Sequence, residues 1–192
     1  LKQLIFGSIL ASTLAACGNS GNSQQAAPQP TGVDPKMVAD TMHDMARVSR
    51  SVYNNNVVRP LAVQRSIIAA TENWREEHAL PLPVQMTLDT SKKLVKQNKD
   101  IYFELKSLWP INPDNLPNSE TEKRGLEAVA AKPSEPFYEE EMIDGKAFLT
   151  AVYADSASGL TCVLCHNEHP SSARNDFEGG DVLGGFIVRV RL

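Results

Sequence analysis

Apolar side chains recur at three- and four-residue steps from Val38 through Met42, Met45, Val48 and Val52, the stripe of an amphipathic helix. Asp34 followed by Pro35 supplies the start: an acceptor for the free amides, then the residue whose fixed φ suits a first turn. Tyr53 and Asn54-Asn55-Asn56 weaken that helix. Pro60 predicts a second one, carrying Ile67, Ile68, Ala70, Thr71 and Trp74 and ending near His78. Leu80-Pro81-Leu82-Pro83 reads as an extended loop, and residues 88–99 as a short lysine-rich helix opened by Asp89 or Thr90.

Beyond residue 100 the period changes. Ile101 to Leu108 is aromatic-rich and suits a strand. Trp109-Pro110-Ile111-Asn112-Pro113 and Leu116-Pro117 form a rigid loop, and Ser119 with Glu122 has the spacing of a capping box before a helix to residue 131. Gly145 turns the chain into a strand over Lys146 to Ala154. The last segment alternates strictly, Phe186, Val188, Val190 and Leu192 on one side and Ile187, Arg189 and Arg191 on the other. The prediction is an α+β fold, N-terminal helices followed by an antiparallel sheet.

The first 33 residues stand apart. Lys2 precedes a mostly apolar run, Leu4 to Ala16, of secretory length and shorter than the ~20 residues a spanning helix needs. Leu14-Ala15-Ala16-Cys17 resembles a bacterial lipobox, which makes 1–16 a lipoprotein signal peptide and Cys17 the lipidated residue. Residues 17–33, rich in Gly, Asn, Ser, Gln, Ala and Pro, are then a flexible tether, and 34–192 the folded domain. This predicts a lipid-anchored protein of the bacterial cell envelope facing the periplasm. Gly18 after the cysteine favours the outer membrane. A net charge of −4 gives no basic footprint for nucleic acid.

The chemistry sits near the C-terminus. Cys162-Val163-Leu164-Cys165-His166 is a C-x-x-C-H run, the attachment signature of one covalent c-type haem, in which both thiols add to the vinyl groups and His166 is the proximal iron ligand. A zinc site would need His166 and His169 as a second ligand pair, crowded against Cys165, and no βαβ unit for a thioredoxin-like motif surrounds the run. The chain has three cysteines, so with Cys17 lipidated no disulfide framework is left.

The sixth iron position separates electron transfer from small-ligand binding. Its candidates are His43, His78, His169, Met37, Met42, Met45, Met86 and Met142. His43 lies opposite the apolar stripe and reads as solvent-exposed, His78 as a surface residue, His169 as a hydrogen-bonding residue of the haem loop, and the methionines of the first helix as core. The expectation is a vacant or weakly occupied distal site. Arg189 and Arg191 are candidate partners of the haem propionates, with a solvated edge of the last strand as the equal alternative, and Arg59 is a third candidate of the same kind.

Glu135 to Arg189 resembles the C-terminal half of a bacterial family of exported single-haem proteins with a PAS-like sensor fold. The matching residues are Cys162-Val163-Leu164-Cys165-His166-Asn167, His169-Pro170 and Gly180-Asp181-Val182-Leu183-Gly184, with Trp109-Pro110-Ile111-Asn112-Pro113 and Asn115 upstream. The resemblance implies a long helical N-terminal region, a five- or six-stranded antiparallel sheet with haem beside it, and sensing or redox roles. Some members take the sixth ligand from a cysteine of the helical region, and this chain has none to spare. Two functions follow: a haem-based sensor of redox poise or of a small ligand such as NO, with a separate signalling partner, or an electron-transfer cytochrome with a redox partner. No Ser-His-Asp, P-loop or dinucleotide fingerprint appears, so the chain reads as a non-enzyme.

Overall fold

Helix α1 starts where Asp34 and Pro35 direct it and runs Pro35–Tyr53, the Lys36 amide donating to Asp34 Oδ1 at 2.9 Å. The structure, a computed structural model, describes residues 32–192, and Val33–Leu192 form one unit. The signal peptide, Cys17 and most of the tether lie outside the described residues.

The buried side of α1 is not the expected stripe. Val38, Ala39, Met42 and Ala46 pack on the sheet, whereas Met45, Val48 and Val52 are exposed, Met45 at 65 %. Two alanines let the helix approach closely, and the polar residues beside them have specific partners. His43 stacks on Tyr153, Arg50 pairs with Asp155, and the Tyr53 hydroxyl donates to the Pro81 carbonyl at 2.9 Å. Counting large apolar residues therefore rotated the face.

The helix then widens into π-helical turns over Asn54–Gln64 that pass through Pro60. The helix expected to continue to His78 is absent. Ser66 (φ 50°) and His78 (φ 52°) are left-handed, a conformation that cannot continue a right-handed helix, and they bracket a flap. Its strand β1 (Ala70–Thr71) pairs in parallel with β2 (Leu80–Pro81). Helix α2 starts at Pro83, earlier than expected, and runs to Gln97, its Gln85 side chain accepting from the Leu82 amide.

Strands β3 (Ile101–Lys106), β4 (Phe137–Ile143), β5 (Lys146–Ser156) and β6 (Val182–Arg191) form one antiparallel sheet in the order β3-β6-β5-β4. The resemblance implied five or six strands; this sheet has four. On one face Phe103, Leu105, Ala151, Tyr153, Phe186, Val188 and Val190 meet α1 and α2. On the other, Val152 and Ile187 meet Leu126 and Val129 of α3 (Glu120–Ala131), whose N-cap Ser119 accepts from the Glu122 amide. The fold is α+β.

Arg189 corrects the outward reading of the last strand. It is only 4 % exposed and donates to Glu104 at 2.8 Å, Glu122 at 2.5 Å and Glu141 at 3.2 Å. A guanidinium with three carboxylates can be buried because each of its three nitrogens donates to one of them.

Candidate cofactor-attachment site

Between β5 and β6 the chain leaves the sheet and returns, and this excursion carries the C-x-x-C-H run. Its neck is closed by the Ala157 amide donating to the Asp181 carbonyl (2.8 Å) and the Gly180 amide to the Ala157 carbonyl (3.1 Å). Within it, α4 spans Leu160–Glu168. Cys162, Cys165 and His166 are separated by three and four positions, so the helix puts them side by side.

Both thiols are free, Cys162 half-buried and Cys165 exposed. Burial of its sulfur pushes the Cys165 thiol up, and the nearby Glu72 carboxylate adds to this. Burial pushes the His166 imidazole down, against an opposing pull from Asp155. His166 is thus a neutral imidazole at pH 7, the form that binds a metal. Its Nδ1 is buried without a hydrogen-bond partner, and its ring meets Phe177 edge-on, centroids 5.7 Å apart.

Around α4 the loop is heavily cross-linked. Asn167 donates to the Phe177 carbonyl and accepts its amide, each at 2.9 Å. The Ser171 amide donates to His169 Nδ1 at 3.0 Å, which leaves the His169 Nε2 proton for Glu72, 3.2 Å away. That contact ties the loop to the flap. Arg174 lies over Phe177 and Trp109 and pairs with Asp176 and Asp181. Two thiols on one helix side with an adjoining neutral imidazole can form two thioether bonds and offer one axial nitrogen, and the residues present fit a c-type haem in that respect.

The two arginines are not brought to this helix. Arg189 sits seven residues beyond the start of β6, about 23 Å along the strand, inside its carboxylate cluster. Arg191 pairs with Asp100 at 3.1 Å. Arg59 is exposed on the π-helical segment. A cation within electrostatic reach of Cys162 is Arg50, which sequence reasoning did not single out. Its one sequence signal is the seven-residue spacing from His43, two turns along the same helix side.

Of the sixth-ligand candidates, His169 is engaged by Glu72 and Ser171, while Met37, Met45 and Met142 are exposed. His43, expected in solvent, is instead stacked on Tyr153 at 4.1 Å and faces Phe186 edge-on. It lines a cleft of about 540 Å³ with Lys36, Asp40, Tyr138 and Tyr153, in which both tyrosine hydroxyls donate to Asp40 Oδ1 at 2.6 Å. None of the three motif residues lines that cleft.

The model of the Tll0287-like family matches residues 29–191. The chain belongs to the Tll0287-like family. That match takes in the helical region, the sheet and the whole attachment excursion. No curated protein matches the sequence. Among solved structures, that of the cyanobacterial heme-protein Tll0287 superposes with a TM-score of 0.53 at 13 % identity, over 83 % of this chain and 97 % of that one. At that identity the likeness shows a shared fold.

Proposed function

We propose that the chain is a monohaem c-type cytochrome, held by Cys162 and Cys165 with His166 as the axial ligand. The observation that carries this is the placement of both free thiols and the neutral His166 on one side of α4. The shared fold with a cyanobacterial heme-protein supports it. When bound, haem supplies a one-electron couple and an iron site for small ligands. The chain's own part is to hold the group at two points, exclude water from the buried side of His166, and fix the loop through Asn167 and His169.

The reading includes a lipid anchor at Cys17 and an envelope location facing the periplasm. Among the described residues no helix is long and apolar enough to cross a membrane. Sensing of redox poise or of a ligand such as NO is favoured by the engagement of His169 and the exposure of three candidate methionines. Electron transfer is the second reading, favoured by the line of rings from His166 through Phe177 to the half-buried Trp109.

The test is expression with haem-maturation machinery, followed by denaturing gels stained for haem and spectra of ferric, ferrous and NO-treated protein. Covalent haem in the wild type and none in a Cys162→Ala, Cys165→Ala double variant is the expected result. A wild type without covalent haem overturns the proposal. Ready uptake of NO supports the sensor; a low-spin spectrum indifferent to NO supports electron transfer.

A further inference from the structure

A histidine that binds a metal through one ring nitrogen nearly always donates the other N–H to a carboxylate, a carbonyl or water. That hydrogen bond gives the ring imidazolate character and raises its basicity. His166 departs from the rule: its Nδ1 is buried and has no partner. Phe177 packs against this imidazole, the ring centroids 5.7 Å apart and the planes at 89°.

Phe177 is held there from three sides. The side-chain amide of Asn167, the residue after His166, grips both the N–H and the C=O of Phe177. The Trp109 ring backs it edge-on at 6.1 Å, and the Arg174 guanidinium covers it at 4.3 Å. Phe177 is itself buried, at 3 % exposure.

The other acceptors nearby are turned to other partners. Asp155, close enough to act on His166, holds Arg50 with both carboxylate oxygens, at 2.5 and 2.8 Å. Glu72 faces His169. The Asn167 amide oxygen accepts from Phe177.

We propose that Phe177, pinned by Asn167, is a positioning residue that keeps hydrogen-bond acceptors from His166 Nδ1 and so makes this imidazole a weak electron donor to the haem iron. The proposal rests on the haem reading above. A weaker donor stabilises ferric iron less, so the reduction potential lies higher than it would with a hydrogen-bonded imidazole.

The experiment compares haem-loaded wild type with Phe177→Asn, which brings a carbonyl oxygen to Nδ1, Phe177→Leu, which keeps the wall apolar, and Asn167→Ala, which releases the ring. Spectroelectrochemical titration reads the potential, and absorption spectra check that ligation is unchanged. The expected result is a downward shift in Phe177→Asn, a smaller one in Asn167→Ala, and little change in Phe177→Leu. Equal potentials in all four proteins overturn the proposal, as does a Phe177→Leu shift as large as that of Phe177→Asn. If Phe177→Asn does not fold, the contrast between Asn167→Ala and Phe177→Leu decides in the same way. A wild type that takes no haem ends the functional reading alone. The contact is then read from the ring nitrogen shifts of His166 in the haem-free chain, where Phe177→Asn moves them and Phe177→Leu does not; equal shifts overturn the proposal.

Discussion

Arg50 of α1 meets Asp155 of β5 with both terminal nitrogens, at 2.8 and 2.5 Å from the two carboxylate oxygens, across 105 positions of sequence. Both side chains are about four-fifths buried. The pair fastens the C-terminal part of the first helix to the strand end from which the attachment excursion departs. Arg50→Ala is expected to cost about 2 kcal/mol in urea unfolding, the range of a hydrogen bond to a charged group. Arg50→Lys restores little of it, because an ammonium cannot reproduce the two-pronged contact.

The two arginines of β6 should behave very differently. Arg189→Ala leaves Glu104, Glu122 and Glu141 without their common cation, Glu122 at 1 % exposure, and is expected to cost about 3–5 kcal/mol. Arg191→Ala removes an exposed pair with Asp100 and should cost less than about 1 kcal/mol. Denaturant midpoints of the two variants check this. If both instead fold normally and lose haem, the cluster serves the cofactor after all.

Burial holds the His43 imidazole below its ordinary value of 6.5 in the folded chain, against an opposing pull from Asp44. The unfolded chain therefore takes up more protons just below that pH. Stability from this group is complete above pH 6.5 and falls as the pH drops through the interval down to the folded pKa, where the loss levels off. His166, also pushed down by burial, acts in the same sense in the haem-free chain. Melting temperatures from about pH 7.5 to 5 should decline more gently in His43→Gln than in the wild type.

Gly184 lies where β6 crosses the chain leaving β3. A Cβ there would meet the Lys106 carbonyl oxygen at 2.6 Å and the Ser107 Cβ at 3.2 Å. The oxygen is backbone, so the strand must move. Gly184→Ala is expected to cost about 1–3 kcal/mol by chemical denaturation, whereas Gly179→Ala, with open space around it, should be near neutral.

The long strands β3, β5 and β6 and the placing of the C-x-x-C-H residues together were legible because each depends on local spacing. Strict alternation in Phe186 to Arg191 placed Phe186, Val188 and Val190 on one face, and three residues from Cys162 to Cys165 on a helix set the thiols side by side. The inward side of α1 was not legible, since Ala39 and Ala46 weigh little in a hydrophobic count while Arg50 and His43 become inward residues only through Asp155 and Tyr153. Strand β4 was missed for a related reason. Glu139, Glu140 and Glu141 give no apolar alternation, and two of them find their partners, Arg124 and Arg189, only through the fold. The left-handed Ser66 that ends the helical stretch carries no local signal, because serine rarely adopts that conformation.

The closed neck at Ala157, Gly180 and Asp181 has a consequence for the order of assembly. The β5–β6 ladder pairs from Phe148 with Arg191 to Ser156 with Val182, using no residue between 157 and 181. The sheet can therefore reach its final register while the segment bearing both thiols is still a free arm. A change confined to the contacts of Asn167, His169 or Arg174 would therefore leave the strand pairing intact, so the segment that carries the motif can loosen and reseat without the core opening.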